Sequence, residues 1–128
     1  MDTISNMFTT IMNAQNINKP DTLTPFSNIK MSILRILKDD DYIREYKKIE
    51  NEGKGYIKIV LNYQENKPAI SKITRVSKPG RRIYIKNNQI PKVLNGFGIA
   101  ILSTPKGILS GSDAKKSGIG GELIAEIW

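Results

Sequence analysis

At 128 residues, with 39% hydrophobic content and a formal net charge of +8, the chain is long enough for one domain or two very small ones and too apolar for wholesale disorder. Cysteine and histidine are both absent, which excludes thiolate nucleophiles, disulfides and most zinc sites and removes the usual general base near neutral pH. No apolar run approaches the roughly 18 residues of a membrane span, and the first residues carry no basic flank or cleavage-site signature, so a soluble, unprocessed protein with no membrane partner is expected.

The charge is segregated. Residues 1–65 carry nine Lys/Arg and nine Asp/Glu, whereas residues 66–128 carry eleven basic and three acidic residues, with no acid between Glu65 and Asp113. A positive field confined to one half is the electrostatic footprint of a polyanion binder. A membrane surface would answer the same field, but it favours charge on an amphipathic helix, and here the charge falls on strand-like and turn-like sequence.

In chain order, Ile4, Met7, Phe8, Ile11 and Met12 repeat at helical spacing, predicting a first helix over residues 3–15 with Asp2 or Thr3 as its cap. Pro20 ends that segment, and Leu23-Thr24-Pro25 can form only a short edge strand. Ser27 is placed to cap a second helix whose apolar face is Ile29, Ile33, Ile36 and Leu37. Asp39, Asp40 and Asp41 oppose the dipole at its end, so a frayed or solvated exit is expected; consecutive aspartates do not converge on one metal ion. From Ile43 the period falls to two, with a clear strand over residues 56–63 that puts Ile57, Ile59 and Leu61 on one face, and turns at residues 51–55 and 64–68. With residues 69–74 as the third strand, this predicts a three-stranded antiparallel meander.

The texture changes at Arg75-Val76-Ser77-Lys78-Pro79-Gly80-Arg81-Arg82, a Pro-Gly turn ringed by four cations. A short strand at Ile83-Tyr84-Ile85, a helical turn opened by Pro91 and a buried strand over residues 98–102 follow. Ser110 can cap a short helix to Ser117, with Asp113 three positions on and Gly118 as its left-handed stop, before a last strand over residues 122–128. The predicted class is α+β: an N-terminal module of two helices and a three-stranded sheet over residues 1–66, then a mostly β module with short helices over residues 67–128.

Chemistry concentrates in Ser103-Thr104-Pro105-Lys106-Gly107 and Gly118-Ile119-Gly120-Gly121-Glu122. Hydroxyls, a lysine and small residues suit a phosphate-facing surface, and the same composition suits a solvated turn between strands. Ser103-x-x-Lys106 matches a serine-nucleophile motif in spacing only, because Pro105 breaks the required helix and the partner motifs are missing. Gly96-x-Gly98 lacks the third glycine of a dinucleotide fingerprint and precedes a strand. No enzyme, cofactor or small-molecule substrate is expected. Tyr84 among Arg81, Arg82 and Lys86 combines an aromatic with cations, as a base-stacking or sugar-contacting position does, although a core tyrosine on a short strand fits too. Glu122 can accept from a base amino group or 2′-hydroxyl, orient a neighbouring lysine, or serve as a structural cap. A nonspecific nucleic-acid or protein-binding module using only the basic half is the alternative reading, and a Ser103 hydrolase the third.

Arg75-Val76-Ser77-Lys78-Pro79-Gly80 with Arg82-Ile83-Tyr84, then Leu94-x-Gly96-x-Gly98-Ile99, then Ser103-Thr104-x-Lys106-Gly107, then Gly118-x-Gly120-Gly121-Glu122, together resemble the bacterial-type small-subunit ribosomal protein eight family. The resemblance covers essentially the whole chain. It implies a non-catalytic, two-part α+β protein that binds the central domain of small-subunit ribosomal RNA, among neighbouring small-subunit proteins, early in assembly of the platform. By that resemblance Ser103, Thr104, Lys106 and Gly107 with Gly120, Gly121 and Glu122 would contact an irregular RNA stem, and Tyr84 and the first module would reach its backbone, beside the cations Arg75, Lys78, Arg81 and Arg82. The chain departs from the family's usual pattern at Thr10 and Met12, where two arginines are common, so the first helix would rest its contact on Asn13 and Lys30. Gly111-Ser112 replaces a usual Asp-Arg, and Asp41 stands where a helix-ending glycine is common. The Lys, Asn and Ile richness and terminal Trp128 are similar to plastid-encoded members, which favours the ribosome of a plastid stroma over that of a bacterial cytoplasm.

Overall fold

The computed structural model describes residues 2–128, and the chain divides into two compact units: Thr3–Ile70, and Ser71–Trp128 together with Asp2. The architecture is mixed α+β.

In the first unit, α1 (Thr3–Asn16) buries Met7, Phe8 and Ile11, the stripe its spacing predicts, and adds Ala14 and Gln15. Strand β1 (Asp21–Pro25) follows, then α2 (Asn28–Asp39), β2 (Ile43–Asn51) and β3 (Lys54–Leu61). The Ser27 hydroxyl accepts from the Lys30 amide at 3.2 Å and fixes the start of α2. Its buried face is Lys30, Ile33, Leu34, Ile36 and Leu37. Ile29 is half exposed, so the face lies rotated toward Leu34 relative to the predicted one.

Of the two outcomes expected at the end of α2, the exit is solvated, with Asp39, Asp40 and Asp41 exposed, and it is not frayed. Asp41 takes a left-handed φ of 61°, its amide donates to the Lys38 carbonyl at 3.0 Å, and the Tyr42 amide donates to the Leu37 carbonyl at 2.8 Å. These two bonds make a closed Schellman exit, which answers carbonyls that the acidic run would otherwise leave open. Asn62 adds a side-chain bond to the Asp41 carbonyl at 2.7 Å.

The three-stranded sheet has the order β1-β3-β2, fully antiparallel. Its third strand is therefore the short β1, and residues 69–74 do not belong to it. Ile57, Ile59 and Leu61 of the central strand are all at most 2% exposed, each adding about 1.5–3 kcal/mol of burial. A bulge after Ile43 interrupts the alternation of β2, and Tyr46 and Ile49 are its half-buried positions. Glu52 and Gly53, with φ of 53° and 79°, form the two-residue β2–β3 turn that matches the twist of its strands. A two-residue hairpin, β4 (Tyr63–Gln64) with β5 (Lys67–Pro68), leads to the end of the unit.

The second unit is built around one strand. β10 (Gly121–Ile127) pairs with β8 (Ile99–Thr104) along one edge, and with β7 (Tyr84–Ile85) and β6 (Ile73–Arg75) in succession along the other; β9 (Gly107–Ser110) pairs outside β8. Two short 3₁₀ turns lie at Asn87–Gln89 and Val93–Gly96. Helix α3 (Gly111–Ser117) starts with the Ser110 hydroxyl accepting from the Asp113 amide and stops at Gly118, φ 69°, as its sequence predicts. Leu102 and Leu123 face each other across β8 and β10 and pack with Ile90, Val93, Ala100 and Ala114 into this unit's core.

Candidate nucleic-acid interface

Because side chains alternate across a sheet, the inward direction of Leu102 and Leu123 turns their neighbours Ser103 and Glu122 to the other face. Glu122 is the register partner of Ser103 on one side and of Tyr84 on the other. Three adjacent strands thus present a row of Tyr84, Glu122 and Ser103. Tyr84 is 71% exposed, which disposes of the core-tyrosine alternative.

The Glu122 carboxylate accepts from the Arg82 guanidinium at 2.9 Å. That hydrogen bond, with the carboxylate charge behind it, raises the Arg82 pKa above its ordinary value. Glu122 thus holds a cation, but that cation is Arg82 and not the lysine expected. Arg82 donates to one carboxylate oxygen, Oε2, and a carboxylate has several lone-pair sites, so the row still carries acceptor capacity for an amino group or a hydroxyl.

Gly120 and Gly121 are required by the protein's own backbone. A Cβ on Gly121 would overlap the Ser103 carbonyl oxygen, and one on Gly120 would overlap the Ile85 carbonyl oxygen. The pair lets β7 and β8 close onto the start of β10, and so brings Tyr84 and Ser103 to Glu122.

Residues 103–107 form the β8–β9 hairpin end, with Thr104 paired to Gly107 around Pro105 and Lys106. The Thr104 hydroxyl accepts from the Lys106 amide at 3.1 Å and donates to the Gly107 carbonyl at 2.8 Å. The turn reading is correct in its geometry, and the internal bonds of Thr104 hold the exposed Lys106 in place.

The Pro-Gly turn is closed by reciprocal backbone bonds between Lys78 and Arg81, both 2.9 Å, with Gly80 at a φ of 86°. Lys78, Arg81 and Arg82 are exposed. Arg75 is different: its guanidinium is paired with Asp2 at 3.1 Å and donates to the Ile124 carbonyl at 2.7 Å, with the side chain 11% exposed. In the first unit Asn13 is exposed on α1, whereas Lys30 is 3% exposed and donates to the Thr24 hydroxyl and the Pro25 carbonyl. Burial lowers the Lys30 pKa below its ordinary value. Two predicted contact cations are thus engaged inside the protein. Sequence reading did not single out Ser77 or Asn62, since the partner of each is set by the tertiary path of the chain.

Among the described residues no group of three or more carboxylates is arranged to hold a metal ion, and no helix is long and apolar enough to cross a membrane. Fold and face together define a two-unit α+β protein whose basic half frames a polar, aromatic-edged row across three strands. Residues 2–128 match the family model described as Ribosomal protein S8. Proteins named small ribosomal subunit protein uS8 are similar along the whole length: 47% identical in Halothermothrix orenii, over 99% of this chain and 97% of the relative. The corresponding figures are 44%, 99% and 98% for Thermus aquaticus, and 46%, 99% and 97% for an Anaeromyxobacter species. The chain belongs to the ribosomal protein S8 family, a family of structural proteins and not of enzymes.

Proposed function

We propose that the protein is a structural constituent of the small ribosomal subunit that binds the central domain of its ribosomal RNA and helps assemble the platform beside neighbouring small-subunit proteins. The observation that carries this reading is the Tyr84, Glu122, Ser103 row set among exposed cations, in the half of the chain with eleven bases against three acids. An A-form stem hides its base edges in a deep groove, so a reader of RNA works on unstacked bases, 2′-hydroxyls and phosphates. Tyr84 supplies a stacking face, Ser103 and Glu122 supply hydroxyl and carboxylate, and Lys78, Arg81 and Lys106 supply phosphate contacts.

Thr104, Gly107, Gly120 and Gly121 act in this proposal by shaping the rim, and Arg75 and Lys30 act as scaffold. Asn13 adds a contact from the first unit. The family membership supports a place on the ribosome; the plastid reading, with bacterial cytoplasm as its alternative, rests on composition. Co-sedimentation tests the reading: the tagged protein should travel with small subunits in a sucrose gradient at physiological salt. Its confinement to the free-protein fractions would contradict the reading.

A further inference from the structure

The buried hydroxyl of Ser77 has no part in the row, yet it is built into the base of the basic turn. Ser77 is 0% exposed, and its Oγ accepts from the Ile83 amide at 3.0 Å and donates to the Ile83 carbonyl at 3.3 Å. The same two residues are seated on the central strand: the Ser77 amide donates to the Leu123 carbonyl at 3.2 Å, and the Leu123 amide donates to the Ile83 carbonyl at 2.9 Å. Leu123 follows Glu122, whose carboxylate takes Arg82 from the same turn. Residues 77–83 are therefore a loop pinned at its neck by a side chain and fastened at two points to the strand that carries the row.

Something must hold that neck, because the turn works against its own charge. Lys78 and Arg81 are bridge partners, and like charges placed directly across a ladder destabilise it. Outside the Glu122 contact of Arg82, the described structure gives this cluster no carboxylate partner at salt-bridge distance. The missing counter-charge matches a phosphodiester backbone.

We infer that Ser77 is a positioning residue for RNA binding, its buried hydroxyl holding the turn so that Lys78 and Arg81 jointly meet the phosphates flanking whatever the Tyr84, Glu122, Ser103 row engages. The inference rests on the proposed RNA-binding function. A pinned turn presents both cations at once, whereas a loose one lets them separate and exchange phosphate contacts for water and salt.

The test is a salt series of binding to the central-domain stem and to an unrelated duplex, with Ser77→Ala placed in the wild-type background and in a Lys78→Ala/Arg81→Ala background. In the first, affinity should fall about three- to tenfold, the worth of a hydrogen bond or so, with the salt slope lower by about one. In the second, Ser77→Ala should cause no further loss. An equal loss in both backgrounds, or an unchanged slope in the first, overturns the inference. Should Ser77→Ala fail to fold in thermal unfolding, Gly80→Val reads the same property: its Cβ meets nothing within 4 Å, but a φ of 86° is hostile to a β-branched residue. The same loss of slope is expected, and an unchanged slope overturns the inference. Equal wild-type affinities for the two RNAs would contradict the specific function above, while the Ser77 comparison would still be read on either RNA, since the slope counts phosphates and not sequence.

Discussion

Arg82 donates to Glu122 across 2.9 Å, from the basic turn to the centre of the polar row. On the proposed function the bond would keep an acid on the face that meets the RNA and would make Glu122 a brake on indiscriminate binding. Glu122→Gln should therefore raise affinity for an unrelated duplex while lowering the ratio of stem to duplex binding several-fold. The stability cost should be modest, because the Arg82 end of the pair is half exposed to solvent, although the Glu122 side chain is 15% exposed. Parallel titrations of the two RNAs check this; an unchanged ratio would remove Glu122 from recognition.

The glycines beneath the row are the most sensitive positions. Gly121→Ala and Gly120→Ala each press a methyl group into a neighbouring backbone carbonyl, which no rotamer change relieves. Overpacking of this kind costs about 1–3 kcal/mol or more. At Gly107 nothing lies within 4 Å of the added Cβ, so Gly107→Ala carries only the left-handed backbone penalty of about 1–2 kcal/mol. Denaturant midpoints of the three variants should separate the two causes, with Gly121→Ala and Gly120→Ala losing RNA binding in proportion to lost register.

Asp41 offers a change in the other direction. It holds a left-handed φ of 61° and puts a negative charge at the exit of α2, where the dipole disfavours it. Asp41→Gly should leave the two Schellman bonds in place and stabilise the protein by roughly 0.5–1 kcal/mol, after the entropy cost of glycine is subtracted. Thermal unfolding should show a rise in midpoint with RNA affinity unaltered.

The cations divide into those facing outward and those engaged inside. Lys78→Ala should weaken binding to every RNA and reduce the salt slope by about one. Lys30→Ala should do neither, since its ammonium already donates to Thr24 and Pro25. It should instead cost about 1–3 kcal/mol of stability, from the packing of the lost stem and the acceptors left unanswered. A fall in salt slope for Lys30→Ala would return that residue to the RNA contacts.

These contrasts also mark what the sequence could convey. Local patterns were legible wherever a single segment determines its own structure: the α1 stripe, the Ser27 and Ser110 caps, the Gly118 stop and the Ile57, Ile59, Leu61 face all stand as read. What failed depended on a partner far along the chain. The third strand of the first sheet is β1, because pairing partner is a tertiary choice that periodicity does not encode. The α2 exit is the local exception: its Lys38 and Leu37 carbonyls find donors at nearby Asp41 and Tyr42, an outcome that charge counting alone does not reach. In the candidate site, residue types single out the stretches, but only register shows that Tyr84, Glu122 and Ser103 share one row. Arg75 and Lys30 look like contact cations in a list and prove to be internal donors once their neighbours are known.

The central claim is that this face reads a particular RNA feature and does not merely attract polyanions. Equilibrium binding of the wild-type protein to the central-domain stem, against an unrelated duplex of equal length at physiological salt, tests it most directly. The account predicts a preference of about tenfold or more for the stem, roughly 1.4 kcal/mol, that diminishes in Glu122→Gln. Equal affinity for the two RNAs would contradict it.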